Sequence, residues 1–134
     1  MIEIAVIVGS ESDYEVIKHA IFKLEELGLE NTYAVLSAHR NTDELRKYIK
    51  QSEKDGIKVF IAAAGMAAAL PGVIASHTDK PVIGIPIIGE SLNGMDSLLS
   101  IVQMPRGVPV ATMAIGKHGA INAAIFAHQI LSLK

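Results

Sequence analysis

At 134 residues and 14.3 kDa the chain is sized for one domain spanning residues 1–134, long enough to bury a sizeable core. Half of it is apolar, 19% is charged and the mean hydropathy is +0.36, which excludes intrinsic disorder. A formal net charge of −2 argues against a nucleic-acid partner, and the lack of cysteine removes disulfides, thiolate metal sites and thiol nucleophiles.

The chain opens on a β-branched apolar run, Ile2 to Val8, that ends in Gly9-Ser10, the pattern of a strand buried on both faces. No basic leading segment marks a secretory signal, and Glu3 is acidic. From Asp13 the period becomes helical: Val16, Ile17, Ala20, Ile21, Leu24 and Leu27 share a face, with Lys18, Lys23, Glu25 and Glu26 between them. Ser12 and Glu15 have capping-box spacing at its start, and Gly28 stands where a helix stops. Thr32–Leu36 reads as a second strand. Thr42–Asp55 reads as a second helix, with Asp43 and Glu44 in its first turn and Gly56 after its end.

Charge thins out from here. Residues 1–58 hold 19 of the 26 charged side chains, and residues 59–134 hold 7. The longest uncharged run, Val59 to Thr78, is long enough to raise the question of a membrane span. Gly65, Pro71, Gly72, Ser76 and His77 interrupt it and alanine is its commonest residue, so no span is expected. Within it Val59–Ala63 is a third strand and Ala67–Ser76 a short helix, interrupted by or beginning near Leu70-Pro71. Val82–Ile85 follows as a strand closed by Pro86, then a helix over Asp96–Val102, a strand over Val110–Ala114 and a last helix over His118–Leu131. Five strand–helix alternations predict a three-layer α/β/α sandwich on a five-stranded parallel sheet, flavodoxin-like in size. A cytoplasmic location is expected.

Such sheets bind ligands at the carboxyl ends of their strands, near the reversal of strand order. Gly9-Ser10-Glu11-Ser12-Asp13 would lie there. A glycine admits close backbone approach, free N–H groups favour phosphate, and Ser10 and Ser12 can donate to its oxygens. Asp13 would repel phosphate and suits a sugar hydroxyl. The same segment can simply cap a helix, and the residues alone leave both roles open. In Ser37-Ala38-His39-Arg40, Arg40 carries a planar donor fork for phosphate or carboxylate, and His39 is the side chain able to give and take a proton near neutral pH. The alternative is a surface charge pair; the convergence of proton carrier and cation opposite a phosphate-type loop favours a site. His19 is expected to be solvated, His77 to end a helix, His128 to pack on one, and His118 to open the last helix near the binding edge. The segment from Ala64 to Gly72 offers almost no polar side chain, only backbone groups and a dry wall. The absence of an aspartate at the end of the third strand excludes a phosphoacceptor receiver domain.

Together these segments resemble the PurE family of phosphoribosylaminoimidazole carboxylase catalytic subunits, also called 5-(carboxyamino)imidazole ribonucleotide mutases. The resemblance rests on Gly9–Asp13, Ser37–Arg40, Leu70-Pro71-Gly72, Gly94-Met95-Asp96-Ser97-Leu98, Ser100–Val110, Ala114-Ile115-Gly116-Lys117 and Asn122, in order from about residue 4 to 131. It implies a step of purine synthesis: transfer of a carboxyl group from the exocyclic nitrogen of an aminoimidazole ribonucleotide to ring carbon C4, with no metal or organic cofactor. It implies His39 as general acid/base and Ser10, Asp13 and Arg40 as nucleotide ligands, phosphate near Ser10 and Arg40 and ribose near Asp13. Gly9, Ser12, Ser37, Ala38, Gly65, Met66, Ala67 and Leu70 would complete the binding surface, and the assembly would be a homo-octamer.

The branch that uses free carbon dioxide tends to carry lysine at the place of Arg40, so this chain sits nearer the mutase branch. It departs from the family pattern at three places: Ala69 replaces a histidine, Met66 replaces a glycine, and Asn41-Thr42 replaces Thr-Pro. The competing readings are a direct carboxylase on the same scaffold and a ribonucleotide-binding module without activity. A flavin protein is disfavoured by the absence of tryptophan and the scarcity of aromatics.

Overall fold

The computed structural model describes residues 1–133. Its elements are β1 (Ile4–Val8), α1 (Tyr14–Glu26), β2 (Asn31–Val35), α2 (Thr42–Lys54), β3 (Val59–Gly65), α3 (Leu70–Ser76), β4 (Val82–Ile87), α4 (Met95–Val102), β5 (Ala111–Thr112) and α5 (Lys117–Leu131). All strands run parallel in the order β2-β1-β3-β4-β5. That order is flavodoxin-like and reverses between β1 and β3.

The apolar runs became central strands because helices cover both of their faces. β1 and β4 are buried throughout, and β3 is buried except at Gly65, whereas β2 at the edge is half exposed. On one face α1 and α5 bring Ile17, Ala20, Leu24, Ala120, Ala123, Ala124 and Ala127 against Val6, Val8, Ile61, Ile83 and Ile85. The alanines of α5 let the two helices approach closely. On the other face α2, α3 and α4 bring Leu45, Ile49, Leu70, Ile74 and Ile101 against Ala5, Ile7, Phe60 and Ala62. Gly119 is required in this packing: a Cβ there would lie 1.7 Å from the Ala114 carbonyl oxygen. Among the described residues, no helix is long and apolar enough to cross a membrane.

Three local expectations are corrected. β4 runs through Pro86 instead of closing before it. The β4–β5 ladder ends at Gly84 and Thr112, so no ladder bond requires the N–H that proline lacks, and the Pro86 carbonyl accepts from Gly116 N–H at 2.9 Å. For the same reason β5 is two residues long and not five. The third helix begins at Leu70, at the later of its two expected starts, because Met66 adopts a left-handed φ of 54° and Ala68 N–H turns back to the Gly65 carbonyl at 3.1 Å. The capping box at Ser12 does not form: Ser10 caps a 3-10 turn over Glu11–Asp13, and α1 begins behind Asp13 without a side-chain cap.

Candidate active site

The strand register brings three loops level. Val8 pairs with Val35 on one side and Ala63 on the other, so Gly9 and Leu36 leave the sheet level with Ala64, while β3 runs on beside β4 to Gly65. Leu36 N–H donates to the Val8 carbonyl at 2.8 Å, which ties the first two exits together.

In the β1 loop, Ser10 Oγ accepts from Ser12 N–H at 3.3 Å, and the two hydroxyls lie 2.9 Å apart. Both side chains are exposed, so the pair faces solvent beyond the strand end. Ser12, free of a capping role for α1, keeps its hydroxyl for this pair. Asp13 is half-buried. Burial raises its carboxyl above the usual aspartate range, and a backbone hydrogen bond from Ser10 opposes part of that rise. Tyr14 and Tyr33 stand next to it in an edge-to-face pair with ring centroids 5.7 Å apart. Burial, and then the Asp13 charge, push the Tyr33 phenol above its usual range. This aromatic pair was missed in the sequence; it joins residues on α1 and β2, and no local pattern signals it.

The β2 loop is a braced turn. Ser37 Oγ accepts from the N–H groups of His39 at 3.3 Å and Arg40 at 3.2 Å. Asn41 Oδ1 accepts from Ser37 N–H at 3.0 Å, and Asn41 N–H donates to the Ser37 carbonyl at 2.9 Å. Ala38 is 7% exposed and anchors the turn against the α2–α3 core. His39 and Arg40 project from this frame into solvent. Among the described residues Arg40 makes no ion pair. Asn41 was read in the sequence only as a departure from a pattern. Its place four residues after Ser37 is the signal that would have revealed it as a brace.

The β3 loop contributes backbone and apolar surface. Gly65 ends the strand, Met66 and Ala67 are exposed, and Ala68 is buried. Leu70 is 2% exposed, so its side chain faces the core and only its backbone is available to a ligand. Of the remaining histidines, His77 follows the end of α3, and His128 is half-buried on α5 as expected. His19 is partly buried rather than fully solvated; desolvation, then Lys117 and Lys18, lower its pKa. His118 is exposed in the first turn of α5.

By volume alone the opposite edge competes. A cleft of 930 Å³ opens there between Lys50, His77, Lys80, Gly107 and Phe126. The candidate site lies at the carboxyl edge, where the imidazole of His39, the Arg40 guanidinium without an ion pair among the described residues and the Ser10–Ser12 loop leave the neighbouring strands β2 and β1, next to the reversal between β1 and β3.

Residues 3–134 match the family described as AIR carboxylase. An N5-carboxyaminoimidazole ribonucleotide mutase of Bacillus subtilis is 55% identical over 129 residues, 96% of this chain and 80% of that one. One from Saccharolobus solfataricus is 54% identical over 134 residues, 100% of this chain and 84% of that one. The crystal structure of Treponema denticola PurE superposes with a TM-score of 0.88 at 26% identity, covering 98% of this chain and 81% of that one. The chain belongs to the AIR carboxylase family.

Proposed function

We propose that the chain interconverts 5-(carboxyamino)imidazole ribonucleotide and 4-carboxy-5-aminoimidazole ribonucleotide. The observation that carries this reading is the Ser37–Asn41 frame, which presents the exposed His39 and Arg40 in one turn at the end of β2, beside the β1 loop. Arg40 and the Ser10–Ser12 hydroxyls bind the phosphate, and Asp13 accepts from the ribose. His39, protonated, gives its proton to the exocyclic nitrogen as the N–C bond of the carbamate breaks and carbon dioxide departs. The nitrogen lone pair then makes C4 nucleophilic, and C4 bonds to the trapped carbon dioxide. The C4 proton returns to His39, which is restored, so no net proton is consumed. Mutases from other organisms at about half identity over nearly the whole chain support this direction of chemistry.

The site is completed by self-association, and a homo-octamer is the assembly the family resemblance implies. Met95, Leu99 and Val102 form an exposed apolar stripe on α4, continued by Leu92 and Ile88. Supplying the carbamate ribonucleotide in bicarbonate-free buffer tests the reaction: C4-carboxylate is the expected product. No conversion there, with carboxylation of 5-aminoimidazole ribonucleotide by added bicarbonate, would make the protein a direct carboxylase.

A further inference from the structure

The reaction proposed above releases carbon dioxide before C4 captures it, and that gas carries no charge by which a protein could hold it. Retention therefore depends on enclosure by apolar surface. The β3 loop contains one residue that local energetics alone do not explain. Met66 sits at φ 54°, a conformation that glycine adopts freely and methionine rarely does. Its side chain is 64% exposed, so burial does not compensate for the strain.

What the side chain does touch is the next loop. A Cβ built on Gly89 would lie 3.1 Å from Met66 Cγ and 3.8 Å from Met66 N. The methionine thus crosses from the end of β3 to the segment after β4, and the missing side chain at Gly89 leaves it room. Underneath, a Cβ on Gly65 would lie 3.4 Å from the Ile87 carbonyl oxygen, so the two strand ends are already closely apposed. Ala67 and the partly exposed Ala69 continue the surface without a polar side chain.

We infer that Met66 is a wall residue that keeps carbon dioxide in the site between breakage of the carbamate and formation of the C4 bond. Its unbranched thioether adapts to a transient, uncharged occupant better than a branched chain would. The left-handed backbone is what directs the side chain across to Gly89 and not away from the sheet. This role rests on the mutase reading. When the wall fails, the balance of the reaction changes in one defined way. The N–C bond still breaks and the nitrogen still receives its proton, but carbon dioxide escapes, leaving 5-aminoimidazole ribonucleotide.

The test measures both products from the carbamate ribonucleotide in bicarbonate-free buffer, with the enzyme-free decay subtracted. In wild-type protein the C4-carboxylate dominates. In Met66→Gly the share ending as 5-aminoimidazole ribonucleotide rises roughly threefold or more, while the melting temperature does not fall, since glycine accepts the backbone conformation. Met66→Leu keeps apolar volume and restores a product ratio near that of wild type. An unchanged ratio in Met66→Gly overturns the inference and leaves the mutase reading intact. So does a Met66→Leu variant that leaks as much as Met66→Gly. Wild-type protein that converts no carbamate overturns both.

Discussion

The two sides of the sheet reversal are built differently. The loops after β1 and β2 carry hydroxyls, a carboxylate, an imidazole and a guanidinium, held by short side-chain-to-backbone bonds around Ser10 and Ser37. The loop after β3 carries alanines and the left-handed Met66, and the loop after β4 carries the left-handed Leu92, Asn93 and Gly94 behind the exposed Glu90 and Ser91. The difference follows the sheet. β2 is an edge strand with solvent beside it, so charged side chains can stand at its end. β3 and β4 are central and covered on both faces, and polar side chains there would lose water without gaining partners. In the proposed reading the loops after β1 and β2 supply the reactive groups, and the apolar loop after β3 supplies enclosure.

Removing chemistry from the wet side should have the largest effect. His39→Asn is expected to lower kcat by about 10²–10⁴-fold with little change in KM, measured by steady-state kinetics on the carbamate. A matching rise in KM with kcat preserved would move His39 from proton transfer to binding. Arg40→Ala should act the other way, raising KM roughly tenfold to a hundredfold through the loss of a charge-assisted phosphate contact. Phosphate-free nucleoside should be nearly insensitive to that substitution.

The smallest effect concerns Asp13. Burial raises its folded-state pKa, so the stability linked to its protonation is fully present below the ordinary aspartate range. It is lost as pH rises through the raised folded value. Asp13→Asn should therefore melt slightly above wild type at neutral pH, with the gap closing in acid. Because the carboxyl is only half-buried the difference is small, and a gap of opposite sign would show that Asp13 is held by favourable charge contacts instead.

Much of this arrangement is legible in the chain. β1, β3 and β4 announce themselves because strands buried on both faces must be apolar throughout, and α1 and α2 because half-buried helices must alternate. His39 and Arg40 are legible because they are adjacent, at a strand end. What escapes is what depends on distant partners. Val110–Ala114 reads as a full strand, yet only Ala111 and Thr112 pair, since pairing length is set by β4 and not by β-propensity. Pro86 reads as a stop until the short β5 shows that no ladder bond is lost there. Tyr14 and Tyr33 meet only through the sheet. Asn41 falls between: its brace to Ser37 is local, but it becomes visible only once the turn is drawn.

The central claim is that the carboxyl group moves within one bound nucleotide, with His39 carrying the proton and the dry loops confining the gas. Turning over unlabelled carbamate ribonucleotide in the presence of isotopically labelled bicarbonate tests it most directly. The account predicts a C4-carboxylate that carries essentially no label. Product labelled to the level of the bicarbonate pool would mean that carbon dioxide enters from solution and would contradict it.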